Sequence, residues 1–364
     1  MSFLVSISFA FATSTLLGLL IIVTKRLHGH LTLDGHAGVQ KVHKTPTPRI
    51  GGVALLAGAV AGGVGLPPET QGLWWLILLT SAPAFLFGLI EDLTKRVSVK
   101  ARLLATICAG LLYCLASGYF IDRLGIPGLD VLFAAWLPAV LFTGFAIGGI
   151  ANAINIIDGV NGLASGTSIL ILVGFAAVAW QAGDQQVMAV CLVAIGALAG
   201  FFLLNFPLGK IFLGDAGAYA TGFLLAVVAV TLPARNPDLS PLIGLLALSY
   251  PVIETMVSIH RRVMRSGSHP GQPDRLHLHS LIYRSRARQI AQAIGAPNLR
   301  NALTGLLVMV LPLLATVLMV GFATSTPLIL LSIAAILLIY LRLYRRVALL
   351  SRSEPGLAAR VKAS

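Results

Sequence analysis

The chain of 364 residues is 57% hydrophobic and only 11% charged, and its mean hydropathy of +0.90 lies far outside the range of soluble proteins. Lysine and arginine outnumber the acids by 26 to 13, which gives a net charge of +13. This composition excludes an ordinary soluble domain and predicts an all-α polytopic membrane protein. Because the basic residues are spread around helix ends, they suit anionic lipid headgroups and phosphorylated substrates better than nucleic acid.

Eleven apolar segments have roughly the length that a helix needs to cross the hydrocarbon core of a membrane. They cover residues 3–23, 50–66, 73–91, 101–120, 131–151, 163–181, 186–205, 217–233, 240–260, 303–321 and 326–344. With eleven helices, 24 of the 26 basic residues fall on one side of the membrane, and only Arg123 and Arg235 fall on the other. Since short cytoplasmic loops collect positive charge, we expect a periplasmic amino terminus and a cytoplasmic carboxyl terminus.

Acidic side chains are scarce, so their positions are informative. Five of them fall in loops on the outer side, where we expect plain solvated charge: Glu69, Asp122, Asp130, Asp184 and Asp238. The other eight fall on the cytoplasmic side: Asp34, Glu91, Asp92, Asp158, Asp215, Glu254, Asp274 and Glu354. Carboxylates held at a membrane surface are costly and are usually functional. The three cysteines, in contrast, lie inside apolar runs without metal-ligand spacing and are expected to be packing residues.

A basic loop, residues 42–52, leads into the second apolar segment. Its two prolines hold the chain extended and remove backbone donors, so we expect His43, Lys44 and Arg49 to be displayed in a fixed loop. Such a loop is also a common topogenic signal in membrane proteins.

Adjacent acids, Glu91 and Asp92, end the third apolar segment. Negative charge at a helix carboxyl terminus opposes the macrodipole, so a cation should compensate it. Lys95 and Arg96 are one candidate, as a structural ion cluster. A divalent metal is the other, because Mg²⁺ prefers carboxylate oxygens and keeps waters and phosphates as further ligands.

A polar stretch, residues 152–164, follows the fifth segment. Asn152, Asn155 and Asp158 are three residues apart and would form a slanted stripe on a helix. Amide groups pair with base or sugar edges, and the glycines that follow let the backbone break where a ligand must fit. Hydrogen bonds between helices are the alternative use of such residues.

Two further cytoplasmic stretches carry candidate site residues. Asp215 stands between two glycines beside a predicted helix amino terminus, where phosphate is also favoured, and is the strongest metal-ligand candidate. Arg275, His277 and His279 lie in the largest cytoplasmic loop. Histidines at i and i+2 share a face only in an extended chain, unlike a helical zinc pair, so phosphate contact is favoured over zinc. Glu254 either lines the same cavity or pairs with Arg261 or Arg262.

Together these stretches resemble the polyprenyl-phosphate N-acetylhexosamine-1-phosphate transferase family, from about residue 24 to residue 285. The segments Asn152–Ala164 and Phe212–Gly217 carry the resemblance, and Lys44–Gly52 supports it. The family includes phospho-N-acetylmuramoyl-pentapeptide transferase and the transferases that start O-antigen and teichoic acid linkage units. The resemblance implies that a polyprenyl phosphate attacks the β-phosphorus of a UDP-sugar, with release of UMP, at the cytoplasmic face of the bacterial inner membrane.

The resemblance also implies cofactors, partners and residue roles. Mg²⁺ is the expected cofactor, with Mn²⁺ as a substitute, and a homodimer is one expected assembly. Asp215 and Asp92 are the expected metal residues, and Glu91, Asp92 and Asp158 the expected catalytic carboxylates. The nucleotide-sugar site is expected to include Lys44, Asn152, Asn155, Asp158, Asn205 and Phe212, and the diphosphate site Arg275, His277 and His279.

Three positions depart from the family pattern. Glu91 stands where an aspartate is usual, Asn161 where many members have a second aspartate, and Ser280 where some continue with histidine.

We expect one transmembrane transferase domain over residues 1–346, with site loops at 24–49, 92–100, 152–162, 205–216 and 261–300, and a basic tail over 347–364. Its product would initiate a cell-surface polysaccharide. The alternatives are the pentapeptide transferase of peptidoglycan synthesis, a transporter and an inactive scaffold.

Overall fold

The computed structural model describes residues 3–34, 46–264 and 276–352. It is 81% helical, as predicted. Its helices are α1 (Phe3–Val23), α2 (Lys25–Thr32), α3 (Gly51–Val64), α4 (Pro68–Thr80), α5 (Ala82–Thr94), α6 (Val99–Ser117), α7 (Trp136–Ile157), α8 (Leu163–Gln181), α9 (Gln185–Asn205), α10 (Gly214–Arg235), α11 (Ile243–Ala247), α12 (Ser249–Val263), α13 (Leu278–Arg284), α14 (Arg286–Ala293), α15 (Arg300–Phe322) and α16 (Thr326–Arg352). Two short antiparallel strands, β1 (Leu33–Asp34) and β2 (Thr47–Pro48), pair with each other, and both precede α3 in the chain.

In the described ranges, eight helices are long and apolar enough to cross a membrane, and a bent pair brings the number to nine. All eleven apolar segments nevertheless correspond to helical regions. The second is only the 14-residue α3, which is short for a crossing. The count of eleven and the orientation of the termini stay predictions. At the carboxyl end, α16 continues to Arg352, past the domain boundary placed at residue 346.

Two segments predicted as single helices are broken at prolines. Residues 73–91 form parts of α4 and α5, which are bent by 44°, and Pro83 lies in the first turn of α5. Residues 240–260 form α11 and α12, which meet at Leu248 just before Pro251. Proline has no N–H to donate, and its ring clashes with the carbonyl four residues earlier, so each helix is interrupted there.

Helix α10 lies at the centre of the bundle. Its apolar window is 89% buried, whereas the window of α16 is 22% buried. It packs against α3, α5, α7 and α8. A Cβ added at Gly52 of α3 would lie 2.3 Å from Gly217 N, and one added at Gly88 of α5 would lie 2.6 Å from Ala216 N. Because these neighbours are main-chain atoms, the first turn of α10 is held by direct backbone contact with α3 and α5.

The expectation that Asp184 is a plain solvated charge is wrong. Asp184 is buried at the opposite end of the bundle and binds Arg235 Nε at 2.7 Å. It also caps α9, since it accepts the Val187 N–H at 3.1 Å. Burial by itself raises the pKa of Asp184, but the hydrogen bonds from Arg235 and the backbone outweigh it, so the pKa lies below its usual value. This ion pair joins the start of α9 to the end of α10.

Candidate active site

Asp215 sits in the first turn of α10, at the end of the bundle where the predicted site residues meet. Its Oδ1 accepts a hydrogen bond from Asn155 Nδ2 of α7 at 3.1 Å and lies 3.9 Å from Arg49 Nη2. Its Oδ2 accepts a hydrogen bond from Arg102 Nη1 of α6. The carboxylate therefore collects contacts from three other segments, as a ligand-binding centre would require.

Asp92 is fully buried beside Asp215, and its two oxygens cap the start of α10. Oδ1 accepts the Asp215 N–H at 2.9 Å, and Oδ2 accepts the Ala216 N–H at 3.0 Å. Arg49 donates to the same carboxylate, with Nε at 3.1 Å and Nη2 at 3.0 Å from Oδ1. A carboxylate at a helix amino terminus is stabilised by the free N–H groups and the macrodipole. In this structure Asp92 holds Asp215 in place, and a direct metal contact by Asp92 stays a prediction.

Glu91 faces the same cluster through Arg102. Its Oε2 accepts the Val97 N–H at 2.9 Å, and its Oε1 lies 4.0 Å from Arg102 Nη1. Arg102 therefore bridges Glu91 and Asp215. In the described part of the chain, the cations that compensate the acid pair are Arg49 and Arg102 rather than the adjacent Lys95 and Arg96.

Asp158 follows the last residue of α7 and is partly buried. Burial raises the pKa of Asp158, the negative charges of Asp215 and Asp92 raise it further, and Arg49 lowers it. A bound cation relieves such crowding of carboxylates.

The histidine pair packs against the residue after Asp158. The rings of His277 and His279 stack with centroids 5.4 Å apart and planes 8° apart, and both side chains are buried. The expectation that the pair shares a face only in an extended chain is wrong, because His277 is extended but His279 already lies in the first turn of α13. A Cβ added at Gly159 would lie 2.3 Å from His279 Nε2, so only glycine allows this approach. His277 and His279 therefore lie on the same side of the site as Asp158.

Asn205 and Phe212 belong to a loop that borders the site. Asn205 is buried, and its Oδ1 accepts the Gly162 N–H at 2.6 Å while its Nδ2 donates to Ile211 O at 2.7 Å. The Phe212 N–H donates to Pro48 O at 2.8 Å, which joins this loop to the strand before α3. Asn205 therefore fixes two loops, and the nucleotide contacts expected of Asn205 and Phe212 stay predictions.

Two asparagines of the polar stretch serve contacts between segments. Asn152 Nδ2 donates to Thr106 Oγ1 of α6 at 2.9 Å and to Gly148 O at 2.8 Å, which is the interhelical use that the sequence left open. Asn161 is buried and donates through Nδ2 to Pro207 O at 3.0 Å. Asn155 is thus the asparagine that contacts Asp215. Lys44 and Arg275, also expected in the site, lie outside the described residues.

The donor set suits Mg²⁺ bound together with a phosphorylated substrate. Within residues 3–34, 46–264 and 276–352, no three side chains among His, Cys, Asp and Glu form a complete metal cage. Mg²⁺ commonly uses one or two carboxylates and completes its octahedron with water and substrate phosphate. Around Asp215, four acids face two guanidinium groups, which leaves two negative charges when all are ionised: Glu91, Asp92, Asp158 and Asp215 against Arg49 and Arg102. One divalent cation would balance that charge.

Comparison with known proteins agrees with this geometry. The sequence profile of glycosyl transferase family 4 matches residues 74–233, which carry Glu91, Asp92, Asp158 and Asp215. Over this stretch the chain is similar to glycosyl transferase family 4.

Its similar proteins fall into two groups. A Bacillus subtilis (strain 168) protein described as a probable undecaprenyl-phosphate N-acetylglucosaminyl 1-phosphate transferase is 29% identical over 278 residues, which cover 76% of this chain and 77% of that protein. An Escherichia coli O157:H7 protein described as an undecaprenyl-phosphate alpha-N-acetylglucosaminyl 1-phosphate transferase is 27% identical and covers 68% of each chain. The phospho-N-acetylmuramoyl-pentapeptide-transferase of Enterococcus hirae is 33% identical over 52% of this chain and 62% of that protein.

Sequence reasoning missed Arg102 and did not include Arg49 among the expected site residues. Arg102 lies in the first turn of α6, which Ser98 caps by accepting the Ala101 N–H at 3.2 Å. A cation at a helix amino terminus opposes the macrodipole, so it calls for a nearby carboxylate. The position of Arg102 in the first turn of α6 was therefore the available signal in the sequence. It does not indicate which carboxylate pairs with Arg102.

We expect Gly88→Ala to lower the transferase activity about a hundredfold, because a displacement of about 1 Å at a catalytic group has that effect. The new methyl would meet the backbone of Ala216 and push the first turn of α10, with Asp215, away from α5. Gly149→Ala in α7 is the matched control, since nothing lies within 4 Å of its added Cβ and alanine favours the helix. Activity per folded protein measures the effect, and equal activity of the two variants would contradict the packing argument.

Proposed function

We propose that the protein transfers N-acetylhexosamine 1-phosphate from a UDP-sugar to undecaprenyl or another polyprenyl phosphate, at the cytoplasmic face of the bacterial inner membrane. The observation that carries the proposal is the cluster around Asp215 at one end of an apolar bundle. Asn155 and two arginines contact its carboxylate, and Asp92 accepts its backbone N–H. A membrane-bound acceptor and a water-soluble donor can meet only at such a boundary.

The proposed reaction is a phosphoryl transfer. An oxygen of the lipid phosphate forms a bond to the β-phosphorus of the donor, and the bond from that phosphorus to the bridging oxygen breaks, so that UMP leaves with the electron pair. Glu91 Oε1 is the candidate to take a proton from the lipid phosphate, since Oε2 is already engaged by the backbone. Arg49 and Arg102 stabilise negative charge on phosphate oxygens, and His277 with His279 holds the diphosphate.

The residues present also fit a divalent metal. Asp215 would hold Mg²⁺, or Mn²⁺ in its place, with Asp92 close by, and the ion would supply neutralising charge to the diphosphate. Asn155 orients Asp215 through its hydrogen bond at 3.1 Å, and Asp92 orients the backbone that carries it.

UDP-N-acetylglucosamine is the first donor to test. The Bacillus subtilis relative that is described with this sugar aligns over 76% of the chain, whereas the Enterococcus hirae pentapeptide transferase aligns over 52%. The lipid-linked sugar would then initiate a surface polysaccharide such as O-antigen or capsule.

The proposal includes no homodimer, because the relatives' descriptions name no assembly. A transporter is disfavoured. Transporters place their charged groups near the membrane midplane, whereas the acids of this site gather at one end of the bundle.

The test is UMP release by the purified protein in detergent with undecaprenyl phosphate and a panel of UDP-N-acetylhexosamines and UDP-N-acetylmuramoyl-pentapeptide. We expect release that needs both lipid and donor, stops with EDTA and returns with Mg²⁺ or Mn²⁺. Omission of the lipid is the control for plain hydrolysis of the donor. Release with the pentapeptide donor alone would move the assignment to peptidoglycan synthesis, and no release from folded protein with any donor would refute the transferase proposal.

A further inference from the structure

Glu254 is a fully buried carboxylate of α12 that lies outside the cluster around Asp215. Its Oε1 lies 2.9 Å from His277 Nδ1, and its two oxygens each lie 3.2 Å from the peptide nitrogen of Leu278. The alternative that Glu254 pairs with Arg261 or Arg262 is not what the described contacts of Glu254 show, and Arg261 donates to Tyr344. A buried carboxylate is tolerated only with such partners, so the end of the histidine loop and Glu254 depend on each other.

The last helix, α16, completes this arrangement from beyond the matched family segment. Tyr340 donates through its hydroxyl to Glu254 Oε2 at 2.8 Å. One turn further on, the Tyr344 hydroxyl donates to Leu276 O at 3.0 Å, and the two tyrosine rings stack with centroids 6.0 Å apart. Two tyrosines of one helix therefore hold both the buried acid and the backbone just before His277.

The contact with Glu254 determines which edge of the His277 ring can meet a substrate. With Nδ1 donating to the carboxylate, Nε2 is the ring nitrogen on the edge that faces away from Glu254. The ring of His279 stacks on that of His277 and approaches Gly159. A contact that fixes the ring of His277 therefore also restricts the ring of His279.

We propose that Glu254 and Tyr340 are positioning residues that act through His277, orienting its ring so that Nε2 binds the diphosphate of the nucleotide-sugar donor. This inference rests on the proposed function. Neither residue touches substrate in this scheme, and the last transmembrane helix becomes part of the donor site although it lies far from the carboxylate cluster along the chain.

Glu254→Gln is the main test, because it keeps the shape of the side chain and removes its charge. We expect kcat/KM for UDP-N-acetylglucosamine to fall about 10- to 100-fold, by analogy with the loss of a carboxylate that orients a metal-bound histidine. We expect equilibrium binding of UDP to weaken in parallel, while the KM for undecaprenyl phosphate stays unchanged. A merely structural role would affect donor and acceptor alike.

The double variant shows whether the effect passes through His277. If it does, Glu254→Gln combined with His277→Ala lowers kcat/KM no more than His277→Ala alone, within about twofold. Effects that multiply would overturn the inference. Should Glu254→Gln fail to fold, Tyr340→Phe, which leaves the Glu254–His277 contact in place and removes one hydrogen bond, is expected to raise the donor KM several-fold, and an unchanged donor KM would overturn the inference.

The matched control is Asp184→Asn, which breaks a buried ion pair at the other end of the bundle. It is expected to lower thermal stability without changing either KM in the folded fraction. An active native enzyme whose Glu254→Gln variant has native donor kinetics would overturn this inference alone. A native protein that neither releases UMP nor binds UDP would overturn the proposed function and this inference with it.

Discussion

Asp215→Asn is expected to lower UMP release a hundredfold to a thousandfold, the range seen when one charge-stabilising group is removed from an active site. Asparagine keeps the size of the side chain, and its amide oxygen can still accept from Asn155. The asparagine cannot supply the negative charge that forms the ion pair with Arg102 and that a metal would need. Because only the charge is lost from a partly open position, the thermal unfolding temperature should stay close to the native value.

Mn²⁺ binding, followed by electron paramagnetic resonance, gives a readout of Asp215 that is independent of turnover. We expect the variant to bind Mn²⁺ at least about tenfold more weakly, as loss of a carboxylate ligand implies. Asp238→Asn, the same change at an exposed acid beyond the other end of α10, is the matched control and should bind and turn over normally. Native Mn²⁺ affinity in Asp215→Asn would show that the metal is held elsewhere.

Asp92→Asn is expected to lower both activity and stability. An asparagine amide would set its NH₂ group against a backbone donor of Asp215 or Ala216 and would leave Arg49 without a full counter-charge. Breaking a buried, hydrogen-bonded ion pair in this way costs about 3–5 kcal/mol. The first turn of α10 would then move, and activity should fall at least about a hundredfold because Asp215 moves with it.

Thermal unfolding in detergent, followed by tryptophan fluorescence, separates the two aspartates. Asp92→Asn should unfold at a clearly lower temperature, while Asp215→Asn should not. Asp238→Asn again controls for loss of one acid. If Asp92→Asn were inactive but as stable as the native protein, Asp92 would be a metal or substrate ligand rather than the cap of α10.

Much of the site was predictable because its residues lie in polar stretches that interrupt apolar runs. Glu91, Asp92, Asn155, Asp158 and Asp215 were all selected from the sequence, and the structure brings them to one end of the bundle. Their roles were less predictable. The stripe of three polar residues in α7 divides between an interhelical contact at Asn152 and an Asp215 contact at Asn155, because residues three apart on a helix still differ in direction by tens of degrees.

Each error in the prediction has an identifiable physical cause. The expected single helices over 73–91 and 240–260 are interrupted because Pro83 and Pro251 cannot continue a hydrogen-bond ladder. Asp184 was read as solvated because its partner, Arg235, lies 51 residues away and no local pattern links the two.

Composition and spacing by themselves determined the membrane class, the apolar segments and the set of scarce acids, because length and polarity are local properties of the chain. Only the tertiary structure decided which groups meet. Arg102 reaches Asp215 across 113 residues, and Tyr340 reaches Glu254 across 86. These pairings depend on helices that touch backbone to backbone at Gly52 and Gly88 and on bends at prolines. Such contacts arise when distant helices pack, and the residues on either side of them carry no trace of the partner.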